Sequence, residues 1–296
     1  MQLVPWHFKT PEGFTLRGSF SPASGKPVLH VLHGNGYCSK MYWPLLTELA
    51  PYFDLFLSDA QGHGDSDHGG PFVGWNRSAE LAHLAFSAHK SEFGDAPIVG
   101  LGHSFGGVLT ALMQAEQPDL FSETVLLDPV LFTPNMLKGM QLLDWIGWYP
   151  RNPMAKKAQK RRTHWPDKTH CHQYLFERGM FKGWSAPSLS AYIDHALSHD
   201  EQGSRLKCQS SREAEIFGSF PSKLWAKLNH NTGDKLLIYG NESYPFVSKS
   251  ARYWQKHQPN LQVHKVTGGH CFMQQFPSET AQLLISHWRQ RGIICS

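Results

Sequence analysis

The feature that most constrains this 296-residue chain is Ile98-Val99-Gly100-Leu101-Gly102-His103-Ser104-Phe105-Gly106-Gly107, an apolar run that closes in Gly-x-Ser-x-Gly and continues with helical character over 108–117. A strand that turns into a helix within about one residue leaves no room for side chains on its flanks, so Gly102 and Gly106 relieve crowding around a strained Ser104. The Ser104 hydroxyl is then expected to project from a sheet edge, beside a helix N-terminus whose free N–H groups favour developing negative charge.

The rest of the chain supplies the sheet that such a junction needs. Residues 6–9 and 14–20 flank a Pro-Glu-Gly turn and read as an antiparallel hairpin. Compact apolar runs at 28–32, 55–58, 124–127, 235–239 and 261–266 read as further strands, and 41–52, 74–93, 247–258 and 278–289 as helices between them. Strands without two-residue alternation, separated by helices, imply a mostly parallel sheet covered on both faces, an α/β class. The core is expected from 1–130 and 226–296. Residues 131–225 break the pattern, with helical character, no convincing strand, five of the ten tryptophans, and 14 basic against 8 acidic side chains. A compact domain seldom tolerates a structureless loop of that length, so the block is expected to be an inserted helical lid over the sheet edge.

Composition excludes several classes. With 41% hydrophobic and 18% charged residues the chain should not be disordered, and a net charge of +4 is too small over this length to argue for nucleic acid. Five cysteines, odd in number and irregularly spaced, do not form a disulfide framework, and the reducing cytosol fits them best. Residues 1–10 lack the basic flank and apolar stretch of a signal peptide, and no run approaches the roughly 18 apolar residues of a membrane span, so stable membrane insertion is not expected.

Four motifs in order, His33-Gly34-Asn35-Gly36, Asp59 to Ser66, the Gly102 to Gly106 turn, and Gly268-Gly269-His270, together resemble the α/β-hydrolase superfamily, in its lid-bearing, esterase- or lipase-like branch, over essentially the whole chain. The resemblance implies the α/β-hydrolase fold and its catalytic apparatus, not a substrate. A serine hydroxyl needs a base within hydrogen-bond reach, and an imidazole with an unperturbed pKa of about 6.5 can take and return the proton. His270 is the candidate base. The backbone N–H groups of Asn35 and Phe105 are the candidate oxyanion donors, their side chains being incidental to that role.

The acid is less direct. In the family it usually lies about three residues beyond a glycine after the strand that ends at Gly240, and that position here is Ser243, which cannot balance an imidazolium. Two carboxylates remain: Asp128, at the end of an earlier strand where some relatives carry the acid, and Glu242, displaced by one residue. Asp128 is preferred, because a one-residue shift would redirect the Glu242 side chain. Asp59 and His63 read as structural. His170-Cys171-His172 lacks a second ligand pair at metal-site spacing, so no metal and no cofactor is expected. Cys38 and Cys271 read as small buried fillers, and Lys156, Lys157, Lys160, Arg161 and Arg162 as one basic side of a helix that is either solvated or attracts an anionic acyl substrate or membrane surface.

The expected protein is a cytoplasmic serine hydrolase of carboxylic esters or thioesters carrying a sizeable apolar group. The expected partner is that small-molecule ester, acyl-chain bearing or anionic. A carbon–carbon bond hydrolase with the same triad and a non-catalytic ligand-binding protein are the rival readings. Epoxide hydrolase and dehalogenase chemistry fits less well, since those enzymes attack with an aspartate.

Overall fold

The computed structural model describes residues 2–230 and 233–295. The chain opens with β1 (Val4–Lys9) and β2 (Thr15–Phe20), the expected antiparallel hairpin. It then alternates: β3 (Val28–Leu32), α1 (Trp43–Leu49), β4 (Asp54–Asp59), α2 (Trp75–Ser87), β5 (Ile98–His103), α3 (Phe105–Glu116) and β6 (Glu123–Leu127). Residues 128–234 carry α4 (Pro134–Trp145), α5 (Pro153–Gln159), β7 (His164–Trp165), α6 (Lys168–Leu175), α7 (Ala186–Ala196), β8 (Leu197–Asp200), β9 (Gly203–Leu206), α8 (Ser210–Phe217) and α9 (Leu224–Leu228). Alternation resumes with β10 (Lys235–Gly240), α10 (Pro245–Gln255), β11 (Leu261–Val266), α11 (Phe272–Gln275) and α12 (Pro277–Gln290).

Eight strands form one sheet in the order β1-β2-β4-β3-β5-β6-β10-β11, parallel from β4 through β11. Alternate residues of the central strands β3, β4, β5, β6 and β10 enter two different cores, which is why those strands are largely apolar. Val99, Leu101, Val125 and Leu127 pack on one face with Leu45 of α1 and Trp288 of α12. Ile98 and Leu126 pack on the other with Leu81 of α2, Leu109 of α3 and Trp254 of α10. Because parallel strands all point one way, their carboxyl ends share one edge of the sheet, where ligands of open α/β sheets bind. That edge gathers His33 after β3, Asp59 at the end of β4, Ser104 after β5, Asp128 after β6 and Gly240 at the end of β10.

Two expectations need correction. The segment 131–225 is mainly helical, but it contains strands: β7, β9 and β8 form a small antiparallel sheet with Leu197 opposite Leu206. Three of the four β8 residues are exposed, so only tertiary pairing distinguishes the hairpin from a polar loop. The helix expected over 41–52 starts instead as a 3-10 turn at Ser39–Tyr42 and becomes α1 only at Trp43, with Pro44 tolerated in its first turn. Among the described residues no helix is long and apolar enough to cross a membrane.

Candidate active site

Ser104 sits where β5 becomes α3, at φ 55° and ψ −115°, a conformation non-glycine residues rarely adopt. The surroundings hold it there. Its N–H donates to Leu127 O at 3.0 Å, and its carbonyl accepts from Val108 and Val130 N–H, each at 3.3 Å. The flanking glycines have the steric role expected of them: a Cβ at Gly102 would lie 2.4 Å from Gly106 O, and one at Gly106 2.4 Å from Leu32 O.

The fold brings Ser104, His270 and Asp128 into one chain of hydrogen bonds. Ser104 Oγ donates to His270 Nε2 at 2.8 Å, and His270 Nδ1–H donates to Asp128 Oδ1 at 2.8 Å. An ionised carboxylate only accepts, so it fixes the ring proton on Nδ1 and leaves Nε2 free to receive the serine proton. Asp128 itself is fully buried at φ 45°, its N–H donating to Ile238 O at 2.7 Å. Its second oxygen accepts from Gly240 N–H at 2.8 Å.

Ser243 occupies the position where the family usually has its acid, and it has a partner that spacing could not reveal: its Oγ donates to Asp128 Oδ1 at 2.5 Å. A residue unable to replace the carboxylate therefore braces one supplied by the neighbouring strand end. Glu242 points elsewhere. It is exposed, and its carboxylate makes no hydrogen bond among the described residues.

Asn35 and Phe105 line the same cavity as Ser104 and His270, and neither N–H donates to another protein group among the described residues. The Asn35 side chain has a separate structural partner. Its amide donates to Glu213 O in α8 at 3.0 Å, tying the loop after β3 to the 131–225 segment. The loop is also held from below: Gly36 N–H donates to His63 Nε2 at 3.0 Å, while His63 Nδ1–H donates to Gln61 O at 3.0 Å. Burial, and next the nearby His33, keep the His63 pKa well below its ordinary value, so the ring stays a neutral acceptor. Asp59 accepts from Ser39 N–H at 2.7 Å and Asp65 N–H at 3.2 Å, clamping the loops after β3 and β4 together.

His103 and Tyr42 form a second support that carried no sequence signal beyond polar side chains beside apolar runs. His103 Nε2–H donates to the His270 carbonyl at 3.0 Å, so Nδ1 must be the acceptor, and Tyr42 O–H donates to it at 2.7 Å. The Tyr42 oxygen in turn accepts from Gly34 N–H at 3.2 Å. This buried path joins the loop after β3 to the loop that carries His270. Desolvation first, and the neighbouring His270 second, push the His103 pKa well down and keep it neutral.

Above these residues lies a cavity of about 230 Å³. Ser104 and His270 form its floor, and the wall is largely apolar, with Phe132, Phe246 and four methionines, Met136, Met140, Met154 and Met180. Methionines are flexible, polarisable wall material suited to chains of varying shape. Most of this wall comes from residues 130–219, in the segment between β6 and β10.

The remaining candidates fall outside the reacting cluster. Cys271 hydrogen-bonds Tyr37 Oη at 3.2 Å, and burial raises its thiol to about 12, which leaves it unreactive; burial raises Cys38 as well. All five cysteines are free. In α6, His170 bonds Asp167 at 2.9 Å, Cys171 is buried and His172 stacks on Phe176, so the three diverge. The basic run is not one face. Because α5 stops at Gln159, Arg161 turns inward to pair with Glu213 at 2.5 Å, and Arg162 lies over Trp165 and Tyr174.

A serine hydroxyl aligned on an imidazole, the imidazole held by a buried carboxylate, and two unengaged N–H groups beside them make an arrangement capable of nucleophilic acyl transfer. The alpha/beta hydrolase family model matches residues 28–283, and the chain belongs to that family. It is 36% identical over 146 residues to Lipase LipV of Mycobacterium tuberculosis, covering 49% of this chain and 53% of that one. It is 32% identical over 106 residues to the abhydrolase domain-containing protein AKT2 of Alternaria alternata, covering 36% of each. These matches span about half or less of either relative's length. The solved structure of E-2-(acetamidomethylene)succinate hydrolase superposes with a TM-score of 0.76 over 96% of this chain and 98% of that one, at 19% identity, a likeness of fold.

Proposed function

We propose that the protein is a serine hydrolase that cleaves carboxylic esters or thioesters with a sizeable apolar group, through an acyl-enzyme on Ser104. His270 takes the serine proton and returns it to the leaving group. Asp128 holds the ring's proton on Nδ1 and stabilises the imidazolium, and the Asn35 and Phe105 N–H groups receive the oxyanion. Water then attacks the acyl-enzyme by the same route in reverse. The observation that carries this reading is the pair of 2.8 Å contacts joining Ser104, His270 and Asp128 beneath an apolar cavity. Membership of the alpha/beta hydrolase family and similarity to a lipase support it.

Residues 131–225 act as the lid in this reading, since they supply most of the cavity wall. Free buried thiols favour a cytoplasmic, reducing setting. No step of the proposed chemistry requires a metal or cofactor. A p-nitrophenyl ester series tests the substrate class. Each methylene entering the cavity gains about 0.8 kcal/mol, so kcat/KM should rise about fourfold per carbon from acetate upward until the cavity is filled. A series that is flat or falls from acetate onward would overturn the apolar-substrate reading, and unchanged turnover in Ser104→Ala would overturn the serine chemistry.

A further inference from the structure

We propose that residues 138–157 form a docking surface for anionic lipid, seated on a bilayer beside the mouth of the cavity. Leu142, Trp145, Ile146 and Trp148 are 61%, 83%, 61% and 48% exposed, whereas Trp165, Trp254 and Trp288 are completely buried. On α4, positions 138, 142 and 145 share one helical face, so Lys138 extends that apolar ridge with a charge. Four large apolar side chains exposed within seven residues make a contiguous patch, which a soluble monomer rarely leaves bare. Tryptophan, apolar in body with one polar N–H, is the side chain that favours the water–lipid boundary.

Charge selects the occupant. Between 131 and 160 lie five basic side chains, Lys138, Arg151, Lys156, Lys157 and Lys160, and a single acid, Asp144. Arg151 Nη1 donates to Gly147 O at 2.7 Å, which places its guanidinium at the turn between Ile146 and Trp148. Apolar side chains ringed by cations match the acyl boundary and phosphate layer of an anionic membrane. A second copy fits less well, because a two-fold contact would press like charges together.

The patch also joins the cavity. Met136, Met140 and Tyr149 of the same segment line the cavity, and Met154, 41% exposed, lines it too while reaching the surface. A lipid leaving the bilayer would therefore meet the largely apolar wall of the cavity that holds Ser104. Docking stands independently of the esterase reading, since it needs no reacting group.

Vesicle sedimentation with purified full chain tests it. Vesicles of phosphatidylcholine with 30% phosphatidylglycerol should bind the protein at least tenfold better than phosphatidylcholine alone, and Ser104→Ala should bind like wild type. The pair Trp145→Ser and Trp148→Ser should lower binding at least tenfold, and Lys156→Gln with Lys157→Gln by about fivefold per lysine. Both double variants should hydrolyse a soluble short ester at the wild-type rate, showing that they fold. The proposal is overturned by absence of vesicle binding, by binding that ignores both double variants, or by a concentration-dependent dimer that Trp145→Ser and Trp148→Ser abolishes while no vesicles bind.

Discussion

Replacing Asp128 by asparagine should disable the protein without unfolding it, and the structure dictates how. The buried carboxylate accepts from Gly240 N–H on one oxygen and from Ser243 Oγ and His270 Nδ1 on the other. In Asp128→Asn the Gly240 N–H still requires an acceptor, so the amide carbonyl must take that side and the NH2 must face Ser243 and His270. Ser243 can rotate its hydroxyl to accept. His270 can accept only by moving its proton to Nε2, where it faces Ser104 and can no longer receive the serine proton. A wrong tautomer of this kind costs about 10⁴-fold in kcat, equivalent to roughly 5 kcal/mol of transition-state stabilisation. Stability should change by no more than about 1–2 kcal/mol, because the buried hydrogen bonds are re-formed. The assay is steady-state hydrolysis of p-nitrophenyl butyrate, with thermal unfolding alongside. Glu242→Gln, at an exposed position, should stay within about twofold of wild type. Activity of Asp128→Asn within tenfold of wild type, or a greater loss in Glu242→Gln, would refute the reasoning.

Ser243→Ala removes one charge-assisted bond to Asp128 and should lower kcat by about tenfold with KM little changed, measured on the same ester. Acid should destabilise the fold through buried neutral histidines. Desolvation, and next His83, hold His30 down at about 3, and burial holds His63 and His103 well below their ordinary values. Their folded pKa values lie below the unfolded 6.5, so the stability they contribute is complete above that pH and is lost as pH falls below it. Each should cost about 1.4 kcal/mol per pH unit below pH 6, seen as a falling midpoint in urea titrations from pH 7 to 5. His30→Leu, in a site walled by Phe56, Phe86 and Phe121, should remove the roughly 1.4 kcal/mol per pH unit that His30 contributes; an unchanged slope would count against the assignment.

What could be read from the residues was what is local. The β5–Ser104–α3 turn announces itself because glycine spacing and apolar runs are properties of neighbouring residues, and parallel strands buried on both faces leave an unbroken apolar signature. Order along the chain then placed His33, Ser104 and His270 at one sheet edge. What could not be read depends on contacts between distant segments. Asp128 was preferred over Glu242 from its place after a strand, but its bracing by Ser243 depends on the β6–β10 pairing. Asn35 looked like a backbone donor alone because its side-chain partner, Glu213 O, lies 178 residues away. The β8–β9 hairpin was hidden by its exposure, and Arg161 read as surface charge because the end of α5 at Gln159 leaves no mark in composition.

The central claim is that Ser104 is the atom that attacks. Incubating the protein with a fluorophosphonate and mapping the modified peptide by mass spectrometry tests it directly. One phosphonyl group should appear, on Ser104, with activity lost in step and with Ser104→Ala left unlabelled. Labelling at another residue, or full activity after Ser104 is modified, would contradict the account.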